Sequence, residues 1–101
     1  MDINKLLAQA QKMERELKKS QEELEAALFE GSASNGLVKI TLKGNNEVVE
    51  VNIDESIINK EDKEMIQDLI MIAFNDAMKK LESKREEKLS QSTGGLNIPG
   101  L

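Results

Sequence analysis

Cysteine and histidine are absent from this chain, and so are tryptophan and tyrosine. Without cysteine there can be no disulfide and no thiolate metal site. Without histidine the usual general base near neutral pH is missing, and so is the commonest metal ligand. Phe29 and Phe74 are the only aromatics, so the core must be built from Leu, Ile, Val, Met and Ala. The longest apolar run, residues 69–74, is too short to span a bilayer. Met1-Asp2-Ile3-Asn4 turns amphipathic at once and shows no signal pattern. These absences predict a soluble cytoplasmic protein with no membrane partner, no cofactor and no metal. At 101 residues one domain is the natural expectation.

What is present is charge and periodicity. Residues 3–28 carry a helical repeat: Ile3, Leu6, Ala10, Met13, Leu17, Leu24 and Ala27 recur at alternating spacings of three and four. Ser20 is the one polar member of this coiled-coil-like seam, and Leu7 and Leu28 widen it. Asp2 suits the N-cap. Leu28 to Ala33 reads as a short strand, and Ser34-Asn35-Gly36 as a turn whose residues tolerate positive φ. Leu37 to Lys43 is a second strand with Val38, Ile40 and Leu42 on one face. Gly44-Asn45-Asn46 turns the chain again. Glu47 to Ile53 is a third strand, with Val49, Val51 and Ile53 inward and Val48, Glu50 and Asn52 outward. One apolar and one polar face is the pattern of an antiparallel meander covered on one side. On the open face, Lys39, Lys43 and Glu50 are candidates for cross-strand pairs. Gly31, Gly36 and Gly44 all fit hairpin geometry.

After a helical turn over residues 54–58, a long helix is expected from about Lys60, capped by Asn59. Its buried stripe reads Met65, Ile66, Leu69, Ile70, Ala73, Phe74, Ala77, Met78 and Leu81, and it continues on polar residues to about Ser90. Val51 and Ile70 both read as core, so aspartate at either is expected to destroy folding and dimerisation together. Residues 1–90 thus form one α-β-β-β-α unit of α+β class, and 91–101, rich in Ser, Gly and Pro, a flexible tail.

The lengths do not match. A 26-residue first helix is about 39 Å long, whereas a seven-residue strand is about 23 Å. Roughly 15 Å or more of helix must project, still bearing Ile3, Leu6, Ala10 and Met13. If both helices pack on the sheet and run antiparallel, the N-terminus and the far end of the last helix lie together. Charge is polarised toward those ends. Residues 1–19 carry a balance of +2, residues 79–88 also +2, and the remainder −9, for a net charge of −5. An acidic body with basic helical ends permits phosphate contact at the projections.

The segments KLLAQAQKMERELKKSQEEL, FEGSASNGLVKITLKGNNEVVEVNID and DKEMIQDLIMIAFNDAMKK, in this order, resemble the YbaB/EbfC family of bacterial nucleoid-associated proteins. GLVK (36–39) and AFNDA (73–77) together carry the resemblance, which covers nearly the whole chain. It implies a helix–three strands–helix fold, a homodimer with projecting helical arms, duplex DNA as partner and residence in the nucleoid. The candidate DNA contacts are Lys5, Lys12, Arg15, Lys18 and Lys19 on the first helix and Lys79, Lys80, Lys84, Arg85 and Lys88 on the last. The plainer reading of these residues is a solvated helix face with ion pairs such as Glu14–Lys18. With no aromatics on the arms and no base-reading motif, duplex backbone contact is the expected mode. An alternative is a structural or adaptor dimer that clamps a protein partner. An enzyme ranks last. Asp76 reads as a hydrogen-bonding position near the sheet rather than a catalytic carboxylate, and Glu22-Glu23-Glu25 and Glu61-Asp62-Glu64 lack the loop geometry of a calcium site.

Overall fold

Alternating apolar residues in the middle of the chain build a three-stranded antiparallel sheet in the order β1-β2-β3: β1 is Leu28–Ala33, β2 Val38–Lys43 and β3 Val48–Ile53. The computed structural model describes residues 2–92; of the expected tail over 91–101, residues 91–92 belong to the last helix and 93–101 lie outside the described residues. Helix α1 spans Ile3–Ala26, with the Asp2 carboxylate accepting the Asn4 amide at its N-terminus. Helix α2 spans Lys63–Ser92, two residues past the expected end. Two short 3-10 turns, Glu55–Ile57 and Lys60–Asp62, join β3 to α2. Asn59 precedes the second turn but makes no capping bond to it; its amide donates to the Asp62 carboxylate at 3.3 Å instead.

The hairpin turns form where small polar residues accept positive φ: Ser34, Asn35 and Gly36 in the first, Asn46 in the second. Val38, Ile40 and Leu42 all point under α2 and are buried. Each such side chain contributes about 1.5–3 kcal/mol when fully buried. From α2 the residues Leu69, Ala73, Ala77 and Leu81, four apart on one face, press onto β1 and β2. Gly31 is what lets the helix come this close: a Cβ there would collide with the Ala73 carbonyl and the Ala77 amide. Its role is thus close helix approach in mid-strand, not hairpin geometry. Gly44 plays a similar part at the second turn. Its amide donates to the Ala27 carbonyl at 2.9 Å, and a Cβ would strike the last turn of α1 at Leu24.

Four expectations are corrected. First, α2 alone covers the sheet; α1 joins at the β2–β3 turn, and only its Leu24 is buried. Nearly the whole of α1 projects, and the molecule is 72 Å long. Second, of β3 only Ile53 packs against the core, half-buried as an inward residue should be, while its valines do not. Val51 stands opposite Ile40 on the α2 side, yet it remains 51% exposed, because α2 lies over β1 and β2 and stops short of β3. Third, a β-bulge near Leu42 breaks the strict alternation of β3: Val48 takes the place opposite Leu42 and Val49 becomes the extra residue. Fourth, Met65 and Phe74 are exposed flanks of the α2 stripe, not members of it. On the open face Lys39 pairs with Glu30 of β1 at 3.9 Å, while Glu50 stands opposite Thr41.

Candidate nucleic-acid interface

The arm is built by an uninterrupted helix former sequence with no Gly or Pro. Every residue of α1 from Ile3 to Lys19 is exposed. At about 100° per residue, its side chains sort onto two faces. Lys5, Lys12 and Lys19 are seven apart and form one row, with Arg15 and Lys18 beside it. The apolar seam of Ile3, Leu6, Ala10, Met13 and Leu17 is centred roughly 150° away, almost on the opposite side. This separation of a basic ridge from an apolar seam escaped the sequence reading. The seven-residue spacing of the three lysines was the available signal.

The ten basic candidates differ in what holds them. Among the described residues, Lys5, Lys12, Arg15, Lys18 and Lys19 make no ion pair and no side-chain hydrogen bond, and the pair Glu14–Lys18 does not form. On α2, three of the five are engaged. Lys80 donates to the Glu30 carbonyl at 2.8 Å and pairs with Asp76 at 3.4 Å. Lys84 pairs with Glu87 at 3.2 Å. Lys88 reaches across to α1 and pairs with Glu23 at 3.3 Å, its side chain only 23% exposed. Lys79 and Arg85 have no such partner among the described residues. Arg85 lines the open groove between the two helices with Leu17, Leu24 and Leu89. The expectation that the N-terminus and the far end of α2 lie together is corrected: Lys88 ties the end of α2 to Glu23, in the last turn of α1 beside the sheet, and α1 runs on alone for about 30 Å beyond that contact to Ile3.

Asp76 serves the sheet. Its carboxylate accepts the Ser32 amide of β1 at 3.0 Å. That hydrogen bond, above the contribution of Lys80 and Lys79, holds its pKa below the ordinary 3.8. Asp54 is likewise lowered from 3.8, by the hydroxyl and then the amide of Ser56, at the start of the first 3-10 turn. No described group of three or more acidic residues is placed to hold a metal ion. No described helix is long and apolar enough to cross a membrane.

With this geometry in hand, comparison with known proteins is informative. The model of the YbaB/EbfC DNA-binding family matches residues 1–96. A nucleoid-associated protein of Rickettsia canadensis (strain McKiel) is 41% identical over 99 residues, covering 98% of this chain and 92% of the relative. One from Lysinibacillus sphaericus (strain C3-41) is 53% identical over 76 residues, covering 75% of this chain and 73% of the relative. The crystal structure of an uncharacterized Helicobacter pylori protein shares the fold with a TM-score of 0.75 at 29% identity, covering 93% of this chain and 99% of that one. The helix–three strands–helix order, the projecting basic arm and the match along nearly the whole chain agree, and the chain belongs to the YbaB/EbfC DNA-binding family.

Proposed function

We propose that this protein binds duplex DNA in the nucleoid as a homodimer, through phosphate contacts made chiefly by the basic ridge of α1. The observation that carries this reading is the freedom of Lys5, Lys12, Arg15, Lys18 and Lys19: all five are exposed on one projecting helix, and none has an intramolecular partner among the described residues. Lys79 and Arg85 add to the field from α2, while Lys80, Lys84 and Lys88 first serve the fold. Contacts of this kind neutralise phosphates and release counterions, and they read little sequence.

The uncovered flank of the sheet supports the dimer. Val48, Val49 and Val51 of β3 are exposed, and so are Met71 and Phe74 of α2. Asp76 and Lys80 mark the flank of α2 that faces β1. Helical spacing therefore puts Ile70, Phe74 and Met78 on the flank facing β3. The exposed valines of β3 and Phe74 thus lie on the same side of the sheet's uncovered flank, and exposed apolar residues grouped in this way are of the kind that marks an association surface. A second copy laid against it gives each dimer two arms.

The test is fluorescence anisotropy with duplex DNA over a salt series from about 50 to 200 mM. The expected affinity falls steeply with salt, and changing Lys5, Lys12, Arg15 and Lys19 to Gln removes binding and flattens the slope by about 0.9 per lost phosphate contact. Binding that persists unchanged in this variant would refute the assignment to α1.

A further inference from the structure

The apolar seam of the arm is a second surface, separate from the basic ridge. Ile3 is 70% exposed and Leu6 47%, and Leu7, Met13 and Leu17 are open as well. From Ile3 to Leu17 the seam runs about 21 Å, or two heptads. We propose that this distal seam docks an amphipathic helix of another protein whose apolar stripe is flanked by lysine or arginine.

The chemistry of the flanks selects the occupant. In the heptad frame the seam occupies the two core positions. The positions bordering it hold Asp2, Leu7, Gln9, Glu14 and Glu16, with no cation among them. Duplex DNA is therefore drawn to the opposite face, where the lysines stand. The arm of a second copy would bring the same acidic borders face to face, and like charges at these positions oppose pairing. A basic border meets them favourably.

The molecule already contains one example of this match. Farther along the same seam, Leu17 and Leu24 face the end of α2, which offers Leu89 with Arg85 and Lys88 beside it. Lys88 sits on Glu23, itself a border position of the seam. The acidic border of the proximal seam thus does accept a basic residue from a facing helix, while the groove between Leu17 and Leu89 stays open. In a second copy Lys88 is already engaged by its own Glu23, so that segment does not offer a free basic border to a distal seam. The site consequently fits a helix from elsewhere.

The experiment uses the full chain, without DNA. The probe is a fluorescein-labelled synthetic peptide about three heptads long, with Leu and Ile in its core positions and Lys at its borders; a matched peptide carries Glu at the borders. The Lys-bordered peptide is expected to bind saturably and the Glu-bordered one not to. Leu6→Asp should weaken binding by about tenfold or more, with helicity by circular dichroism kept because Leu6 is exposed. Changing Lys5, Lys12 and Lys19 to Gln should leave it unaltered. The decisive variant is Glu14→Lys with Glu16→Lys, which should exchange the preference and favour the Glu-bordered peptide. Equal binding of the two peptides would overturn the proposal, and so would failure of the Lys-bordered peptide to saturate or a preference the double reversal leaves unmoved. Self-association of the wild-type chain that Leu6→Asp abolishes would also overturn it, with a second copy as the occupant.

Discussion

The two edges of the sheet are treated in opposite ways. At β1, helix α2 presses close over Gly31, the Asp76 carboxylate takes the Ser32 amide and Lys80 takes the Glu30 carbonyl. Two outward-facing backbone groups of that edge, the Ser32 amide and the Glu30 carbonyl, are thus occupied by side chains of the same chain. At β3 nothing of the kind is found among the described residues. Its valines are exposed, and α2 stops short of it. An exposed apolar edge strand is ordinarily a hazard, which proteins blunt with charge or cover. Here one edge is partly capped by side chains of α2 and the other left open, and the difference is directional: β3 is the edge that the proposed dimer would use.

The largest effect is expected from breaking the capped side at its closest point. Gly31→Val forces a side chain into the backbone of α2 at Ala73 and Ala77. Overpacking against backbone should cost about 3 kcal/mol or more, and chemical denaturation should show a severely destabilised or unfolded chain. Breaking the open side should do something different. Val51→Asp places a charge on a residue that is exposed in the single chain. It should leave helicity intact and convert the proposed dimer to a folded monomer in sedimentation experiments. An unfolded Val51→Asp chain would mean that folding and assembly are inseparable at β3.

The smallest effect sharpens the comparison at the β1 edge. Asp76→Asn keeps an oxygen for the Ser32 amide but removes the charge. Because the folded pKa of Asp76 lies below 3.8, its contribution is complete above that pH and is lost as the pH falls below it toward the folded value. The variant should show a slightly lower urea midpoint at neutral pH and a shallower loss of stability in the acid range, with the part due to Asp54 remaining. An acid profile identical to wild type would remove Asp76 from the account of that edge.

Much of this architecture was legible beforehand. β1 has the expected bounds, and β2 and β3 each begin one residue later than expected. Their alternation is local, and so are the turn residues that accept positive φ. The overhang of α1 followed from length alone. Less legible was anything that depends on where α2 lands. Val51 and Val38 look alike in sequence, since both alternate correctly and both face the helix side; only the lateral placement of α2 buries one and exposes the other. The β3 bulge was equally hidden, because one extra residue in a strand of valines leaves no compositional trace. Among the basic residues, composition could not separate those held by a partner from those free. The carbonyl that Lys80 meets is fifty residues away in the chain, and the carboxylate that Lys88 meets is sixty-five away.

By itself, then, the sequence determined the elements, their order, the projecting amphipathic arm and the acidic body with basic ends, because helical and strand periods, turn chemistry and charge are properties of neighbouring residues. The tertiary structure decided which sheet edge is capped, which valines stay open and which cations remain free. Those outcomes depend on a glycine-sized gap between β1 and α2, and on contacts between residues that meet only when the chain is folded.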